Sequence, residues 1–259
     1  MNNGIFQGIA KDFTGDGGPR RRIVTLTSSV PNLPIPEWAQ GGKGIVRISG
    51  CGAGGSGAVR AVASERGAGG GAGAFAVEHP LVIPSGVSTL NCQIGAAATA
   101  VSANTFTDGN NGGNTSVTAG SLSLVLEGGI GGSSTANTAR RPAYPLPNGM
   151  SMTGLTATTV TAPFAGDAIA AGAFSGASSL GLGAIGGTGN TSSQGFGAGA
   201  WSPFGAGGAG VTSVPSNQTG GAATGYGAGG AGANWASGEN VTSGAGAPGI
   251  LFIEFVEGM

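Results

Sequence analysis

Few residues in this chain have the type and spacing to do chemistry. Gly50-Cys51-Gly52-Ala53-Gly54-Gly55 follows the strand-like run Ile45–Ser49. A strand followed by G-x-G-x-x-G is the arrangement that brings a backbone turn against the pyrophosphate of a dinucleotide, and Ala58–Glu65 (AVRAVASE) would be the helix that follows. That chemistry also requires a second strand ending in a carboxylate to receive the ribose. The chain runs instead into Gly67-Ala68-Gly69-Gly70-Gly71-Ala72-Gly73, with no alternation of helices and strands beyond it. With 57 glycines in 259 residues, the pattern reads as a product of composition, and no cofactor is expected. His79, the sole histidine, precedes Pro80 with no cysteine or carboxylate at a metal-ligand spacing, so it reads as a structural strand-end residue and no metal site is expected. Cys51 and Cys92 read as small buried hydrophobes, a bridge between them staying open. No residue is nominated as catalytic, and the chain is expected not to be an enzyme.

The elements that position these residues follow from an unusual composition. Charged residues make up 8% of the chain, against about 25% in a typical globular protein, and the formal net charge is -1. A basic surface for nucleic acid is thereby excluded. The 57 glycines and 13 prolines reach the share at which aperiodic chains are often disordered. Disorder, however, goes with low hydrophobicity and high net charge, whereas 39% of these residues are hydrophobic. A folded chain is expected. The opening MNNGIFQGIAKDF has no basic stretch followed by an apolar one, and no apolar run reaches about 18 residues. Neither a signal peptide nor membrane insertion is expected.

Period-two alternation predicts strands at 88–94, where Leu90, Cys92 and Ile94 share a face, and at 121–126, where Leu122, Leu124 and Leu126 do. Weaker candidates lie at 44–49 and 74–79, with Asp108-Gly109 and Asn111-Gly112-Gly113 read as turns. The most apolar strand, 250–256, must pair with strands more than a hundred residues earlier. Between them, residues 127–249 form a long Gly/Ser/Thr/Ala-rich insertion punctuated by glycine tracts and lacking any 3.6-residue period. Glycine at this density excludes helix. The conformation that fits is polyglycine-II-like: about three residues per turn, no internal hydrogen bonds, and neighbours close enough to satisfy one another's backbone. The fold class is therefore read as all-β, a small β-sandwich-like domain with inserted polyglycine-II-like tracts and an extended N-terminal arm. Residues 41–259 form the domain and residues 1–40 the arm.

The arm carries Arg20, Arg21 and Arg22, Trp38, and the prolines Pro31, Pro34 and Pro36, which favour extended backbone. It reads as a docking tether, and its removal (residues 1–36) is expected to leave every predicted strand in place. The insertion holds eight aromatics: Tyr144, Phe164, Phe174, Phe196, Trp201, Phe204, Tyr226 and Trp235. They either pack over glycine surfaces or, if exposed on loops, form a recognition surface. Tyr144, Trp201, Phe204, Tyr226 and Trp235 are the candidate receptor contacts.

In order along the chain, WAQGGKGIVRISGCGAGGSGA, GGGAGAFAVEHPLVIPSG, LNCQIGAAA, NGGNTSV, LSLVLEGGIGG and GAGAPGILFIEF resemble the glycine-rich domain of tailed-bacteriophage fibre and receptor-binding proteins, over about residues 38–132 and 195–256. The resemblance implies a virion (tail) protein made in the host cytoplasm. It would be a tail fibre or fibre tip joined to other tail proteins and facing a host cell-surface receptor or glycan. Its fibre-like character and the chain's poverty in charge together imply a homo-oligomer, expected as a homotrimer. The alternatives are a peripheral appendage or decoration protein without receptor binding, a polyglycine-II ice-binding protein, and a glycine-rich cell-surface protein. The ice-binding alternative requires a strict three-residue spacing, and the glycines read as irregular.

Overall fold

The computed structural model describes residues 19–61, 67–134, 197–211, 217–235 and 238–258, and the backbone alone of 8–13, 150–153 and 180–181. Its strands are β1 (Gly8–Phe13), β2 (Arg21–Leu26), β3 (Val30–Pro34), β4 (Gly44–Cys51), β5 (Val59–Arg60), β6 (Phe75–Leu81), β7 (Thr89–Gln93), β8 (Ser102–Ala103) and β9 (Thr115–Ala119). They continue as β10 (Leu122–Leu126), β11 (Met150–Thr153), β12 (Leu180–Gly181), β13 (Gly205–Ala206), β14 (Thr224–Gly225), β15 (Ala233–Asn234), β16 (Val241–Thr242) and β17 (Ile250–Glu257). A 3-10 turn at Glu37–Ala39 is the only helical element among the described residues.

Two antiparallel sheets, ordered β1-β2-β17-β4-β6-β12 and β11-β10-β9-β7-β3, pack face to face. Alternation decides which side chains lie between them. Val46 and Ile48 from β4, Leu251, Ile253 and Phe255 from β17, Leu90 and Cys92 from β7, and Leu122, Leu124 and Leu126 from β10 join one buried cluster. The chain is all-β, and the five expected strands are all present. As expected, β17 closes the domain from more than a hundred residues away, pairing with β4 from Ile250↔Cys51 to Glu257↔Gly44.

The expected boundary at residue 40 is corrected. β2 pairs along the other side of β17, from Leu251↔Leu26 to Val256↔Arg21, and β3 pairs with β7. Val24, Leu26, Leu33 and Ile35 are buried in the common core. Residues 21–40 are thus part of both sheets. Val24 and Leu26 alternate with polar or half-buried neighbours as a half-buried strand requires, beneath the more conspicuous arginine run.

From one end of this sandwich the chain continues as ten short tracts, which join strand ladders only at Gln218 and Ala233. In chain order they are tract 1 (52–58), tract 2 (67–74), tract 3 (95–100), tract 4 (108–114), tract 5 (127–133), tract 6 (197–200), tract 7 (207–211), tract 8 (218–223), tract 9 (227–233) and tract 10 (243–249). Successive N–H groups of tract 1 turn to three different neighbours. Gly52, Gly55 and Ala58 donate to tract 2, Ala53 and Ser56 to tract 4, and Gly54 and Gly57 to tract 10. Its carbonyls accept in the same rotation from tracts 5, 3 and 9. A donor direction that repeats every third residue, with no bond inside the tract, is the polyproline-II geometry.

Tract 1 is therefore enclosed by six others, each of which also bonds to the next around the ring. Tract 9 is enclosed in the same way by tracts 1, 2, 6, 7, 8 and 10. The ten tracts form two fused hexagons with rows of three (5, 2, 6), four (4, 1, 9, 7) and three (3, 10, 8). This close approach requires glycine. A methyl group at Gly57 would sit 2.0 Å from the carbonyl oxygen of Ala231. Asp108-Gly109 and Asn111-Gly112-Gly113, expected as turns, are straight lattice instead. Tract 4 runs antiparallel to tract 1, and a methyl group at Gly112 would lie 2.3 Å from Ala53 O. The G-x-G-x-x-G run ends β4 at Gly50 and Cys51 and enters the same lattice from Gly52 on, and Val59–Arg60, in the segment weighed as a helix, is strand. The bundle also extends beyond the expected insertion, because tracts 1 to 4 precede it.

Candidate functional site

Chain direction gives the molecule two poles. Tract 1 leaves β4 at residue 52 and rises about 20 Å over its seven residues, at about 3.1 Å each. Tracts 3, 5, 7 and 9 run the same way, while tracts 2, 4, 6, 8 and 10 return. The ends of tracts 1, 3, 7 and 9 and the starts of tracts 2, 4, 8 and 10 consequently lie at the far pole. The opposite pole is the end of the sandwich where β2 begins and β17 ends.

At the sandwich pole, the expected docking residues Arg20 and Trp38 come together. The Arg20 guanidinium lies 5.7 Å from the centre of the Trp38 ring and donates to both carboxylate oxygens of Glu257, at 3.0 and 2.6 Å. These hydrogen bonds hold the Glu257 carboxyl down at about 2 and raise the Arg20 pKa. Arg21 pairs with Glu254 on the outer face of the sheet, which Arg47 also approaches at 3.5 Å. Arg22 is half-buried in β2. Only Arg20 and Arg21 of the arginine run are exposed there.

The candidate receptor aromatics are not brought to one surface. Phe204 and Tyr226 pack at the junction of sandwich and bundle against Cys51, Phe75 and Ile250, with the Phe204 ring 5.8 Å from that of Phe252. The hydroxyl of Ser202 donates to Tyr226 O and ties this corner together. Trp201 is half-buried beside it in the chain. Trp235 lies at the far pole, packed on Val59, Ala233 and Val241. Tyr144, Phe164, Phe174 and Phe196 lie outside the described residues.

The far pole is closed by short ladders in place of glycine lattice. β5 pairs in parallel with β15, β8 antiparallel with β16, and Val59 with Thr107. Val59 and Thr107 exchange both backbone bonds, at 2.9 and 3.0 Å, and Trp235 N–H donates to Arg60 O at 3.1 Å. Residue 106 and residue 235 thereby flank Arg60. Arg60 is only 5% exposed, and its guanidinium lies 5.8 Å from the centre of the Phe106 ring. Phe106 itself is 48% exposed. Neither residue was among the sequence candidates, because Phe106 stands outside the glycine-flanked insertion. The one available signal is an aromatic in a polar link, Ser102 to Asp108 (SANTFTD), between two glycine-rich tracts.

The potentially reactive groups are quiet. Cys51 and Cys92 are free thiols, both buried and pushed up to about 12 by that burial. His79 is buried in β6, which lowers its pKa. Burial likewise raises the pKa of Glu127, where tract 5 leaves β10. Among the described residues no three His, Cys, Asp or Glu side chains are grouped to hold a metal.

Residues 25–256 match the protein family described as Glycine-rich domain. No curated protein matches the chain.

Proposed function

Because the chain belongs to the glycine-rich domain family, we propose that it is a non-enzymatic structural protein of a tailed-bacteriophage virion. It serves as a tail fibre or fibre-tip component, attached to other tail proteins by its sandwich pole and meeting the host surface with its far pole. One observation carries this reading. The hydrogen-bonded lattice fixes the tracts and forbids side chains at its glycines, whereas the reversals carry larger and polar side chains, and those at the far pole lie opposite the end where β2 begins and β17 ends. A rigid spacer with such links at one end suits recognition, since pre-ordered links lose little entropy on binding. Arg20, Arg21 and Trp38 at the other end offer charge-assisted and aromatic contacts to a neighbouring tail protein. The phage assignment draws on the ordered motifs that resemble fibre and receptor-binding proteins, and a homotrimer fits that setting.

The test uses antibodies raised against the full chain and intact tailed particles that encode it. The reading expects labelling at the tail periphery, and expects the purified chain to compete with those particles for adsorption to their host cells. Particles without label would overturn the virion assignment. Labelled particles with undiminished adsorption would reduce the role to decoration.

A further inference from the structure

We propose that the far-pole cluster centred on Phe106 is a saccharide-binding site, an inference that rests on the receptor-binding reading above. Among residues whose side chains are described, Phe106 is the only exposed aromatic; the other exposed large hydrophobics are the aliphatic Ile45, Val82 and Ile130. The lattice holds it in place. Thr107, its neighbour, exchanges two backbone bonds with Val59, which directly follows the enclosed tract 1, and the nearly buried Arg60 guanidinium sits over the ring. A ring fixed in this way presents a flat apolar surface without losing entropy on binding.

The surroundings select the ligand. Ser102, Asn104 and Thr105 are exposed in the same link, and Asn110 follows at the top of tract 4. The Asn110 amide N–H donates to Thr99 and the Ser102 hydroxyl accepts from Thr242, so Asn104 and Thr105 are the uncharged groups that can both donate to and accept from a ligand. One oxygen of Asp108, the exposed carboxylate in the link, accepts from the backbone N–H and hydroxyl of Ser134, and its second oxygen can accept from a hydroxyl. A single flat ring bordered by hydroxyl, amide and carboxylate groups complements a sugar, which stacks one C–H face on an aromatic and turns its hydroxyls to the rim. A protein partner fits less well, since a stable protein interface buries about 800 Å² per side around several desolvated anchors.

The experiment immobilises neutral oligosaccharides of glucose, galactose, mannose and N-acetylglucosamine and measures retention of the full chain by interferometry. At least one should retain the native protein. Phe106→Ala should weaken that retention tenfold or more, Phe106→Tyr should preserve it, and Val82→Ala on the sandwich should leave it unchanged. All variants should melt with the native protein, because each changed side chain is exposed. Retention of none of the four sugars, or equal retention of native protein and Phe106→Ala, would overturn the saccharide assignment. If no sugar is retained while the native chain still blocks particle adsorption and Phe106→Ala does not, the saccharide assignment falls and the receptor-binding reading stands.

Discussion

Replacing Gly54 by alanine places one methyl group inside the enclosed tract 1. Its carbon would lie 1.9 Å from Ala228 O and 2.3 Å from Ala228 C, where ordinary contact begins at 3.4 Å. Tract 9 would have to retreat by about 1.5 Å, the difference between those distances, and nothing on its far side gives way because tracts 6, 7 and 8 enclose it. Such a retreat stretches the bonds from Gly230 N to Gly55 O and from Ala233 N to Ala58 O, now 2.9 and 2.8 Å, beyond hydrogen-bonding reach. Each buried amide bond contributes about 1 kcal/mol net, and each partner left unsatisfied costs about 1–3 kcal/mol. Losing two bonds therefore costs on the order of 4 kcal/mol, a large part of the 5–15 kcal/mol typical of a folded domain. Urea unfolding followed by tryptophan fluorescence should show this as a lower midpoint or as failure to fold. Ser56→Ala, in the same tract, removes the Oγ that accepts from Asn110 N at 2.8 Å and should cost only about 1 kcal/mol. A Gly54→Ala protein within 1 kcal/mol of the native one would refute the lattice argument.

Four further outcomes follow from the same geometry. Deleting residues 1–36 removes β1 to β3, uncovers β17 and exposes the apolar face that Val24, Leu26 and Leu33 cover, so the truncated chain should aggregate when expressed, in contrast to the outcome expected for a free arm. Carbon-detected titration of Glu257 should give a midpoint near 2, and Arg20→Ala should return it to the usual carboxylate range; the pair's small, salt-screened stabilisation is present above that range and lost as pH falls toward 2. His79, whose pKa burial lowers, is protonated first in the unfolded chain, so stability is full above about pH 6.5 and declines below it, and a urea series from pH 7.5 to 5.5 should show a decline that His79→Gln flattens. Cys51 and Cys92 should resist a thiol reagent at pH 8 in the native protein and react fully in denaturant.

What the sequence made legible is what side-chain alternation encodes. Leu90 and Cys92, the three leucines of β10 and the apolar β17 announced their strands because one face of each is buried in the shared core. β2 was obscured because the arginines at its start drew the reading toward charge, and β3 because its prolines suit an edge strand as well as a free arm. The lattice was legible as a conformation and illegible as an arrangement. Glycine tracts carry no side-chain code to say which tract adjoins which, and the partners of tract 1 span residues 68 to 247. A signal was nevertheless present. Residues 52–57 read GAGGSG, and residues 205–210 and 227–232 both read GAGGAG, so a small side chain recurs at every third position between obligatory glycines. The spacing, irregular across the whole chain, is regular within these runs. At the far pole, Phe106 and Arg60 were missed because their pairing depends on Val59 meeting Thr107, a contact that only the antiparallel run of tracts 1 and 4 creates.

The functional account depends on the lattice that separates the poles, and the most direct measurement of that lattice is the scalar coupling across hydrogen bonds in isotope-labelled protein. Three consecutive amides of tract 1 should couple to carbonyls on three different tracts: Gly52 to Ala74, Ala53 to Gly113, and Gly54 to Ala247. The rotation should then repeat, with Gly55 coupling to Gly71, Ser56 to Asn110 and Gly57 to Gly244. Couplings confined to one neighbour would mean an ordinary sheet, couplings within the tract would mean a helix, and either result would contradict the account.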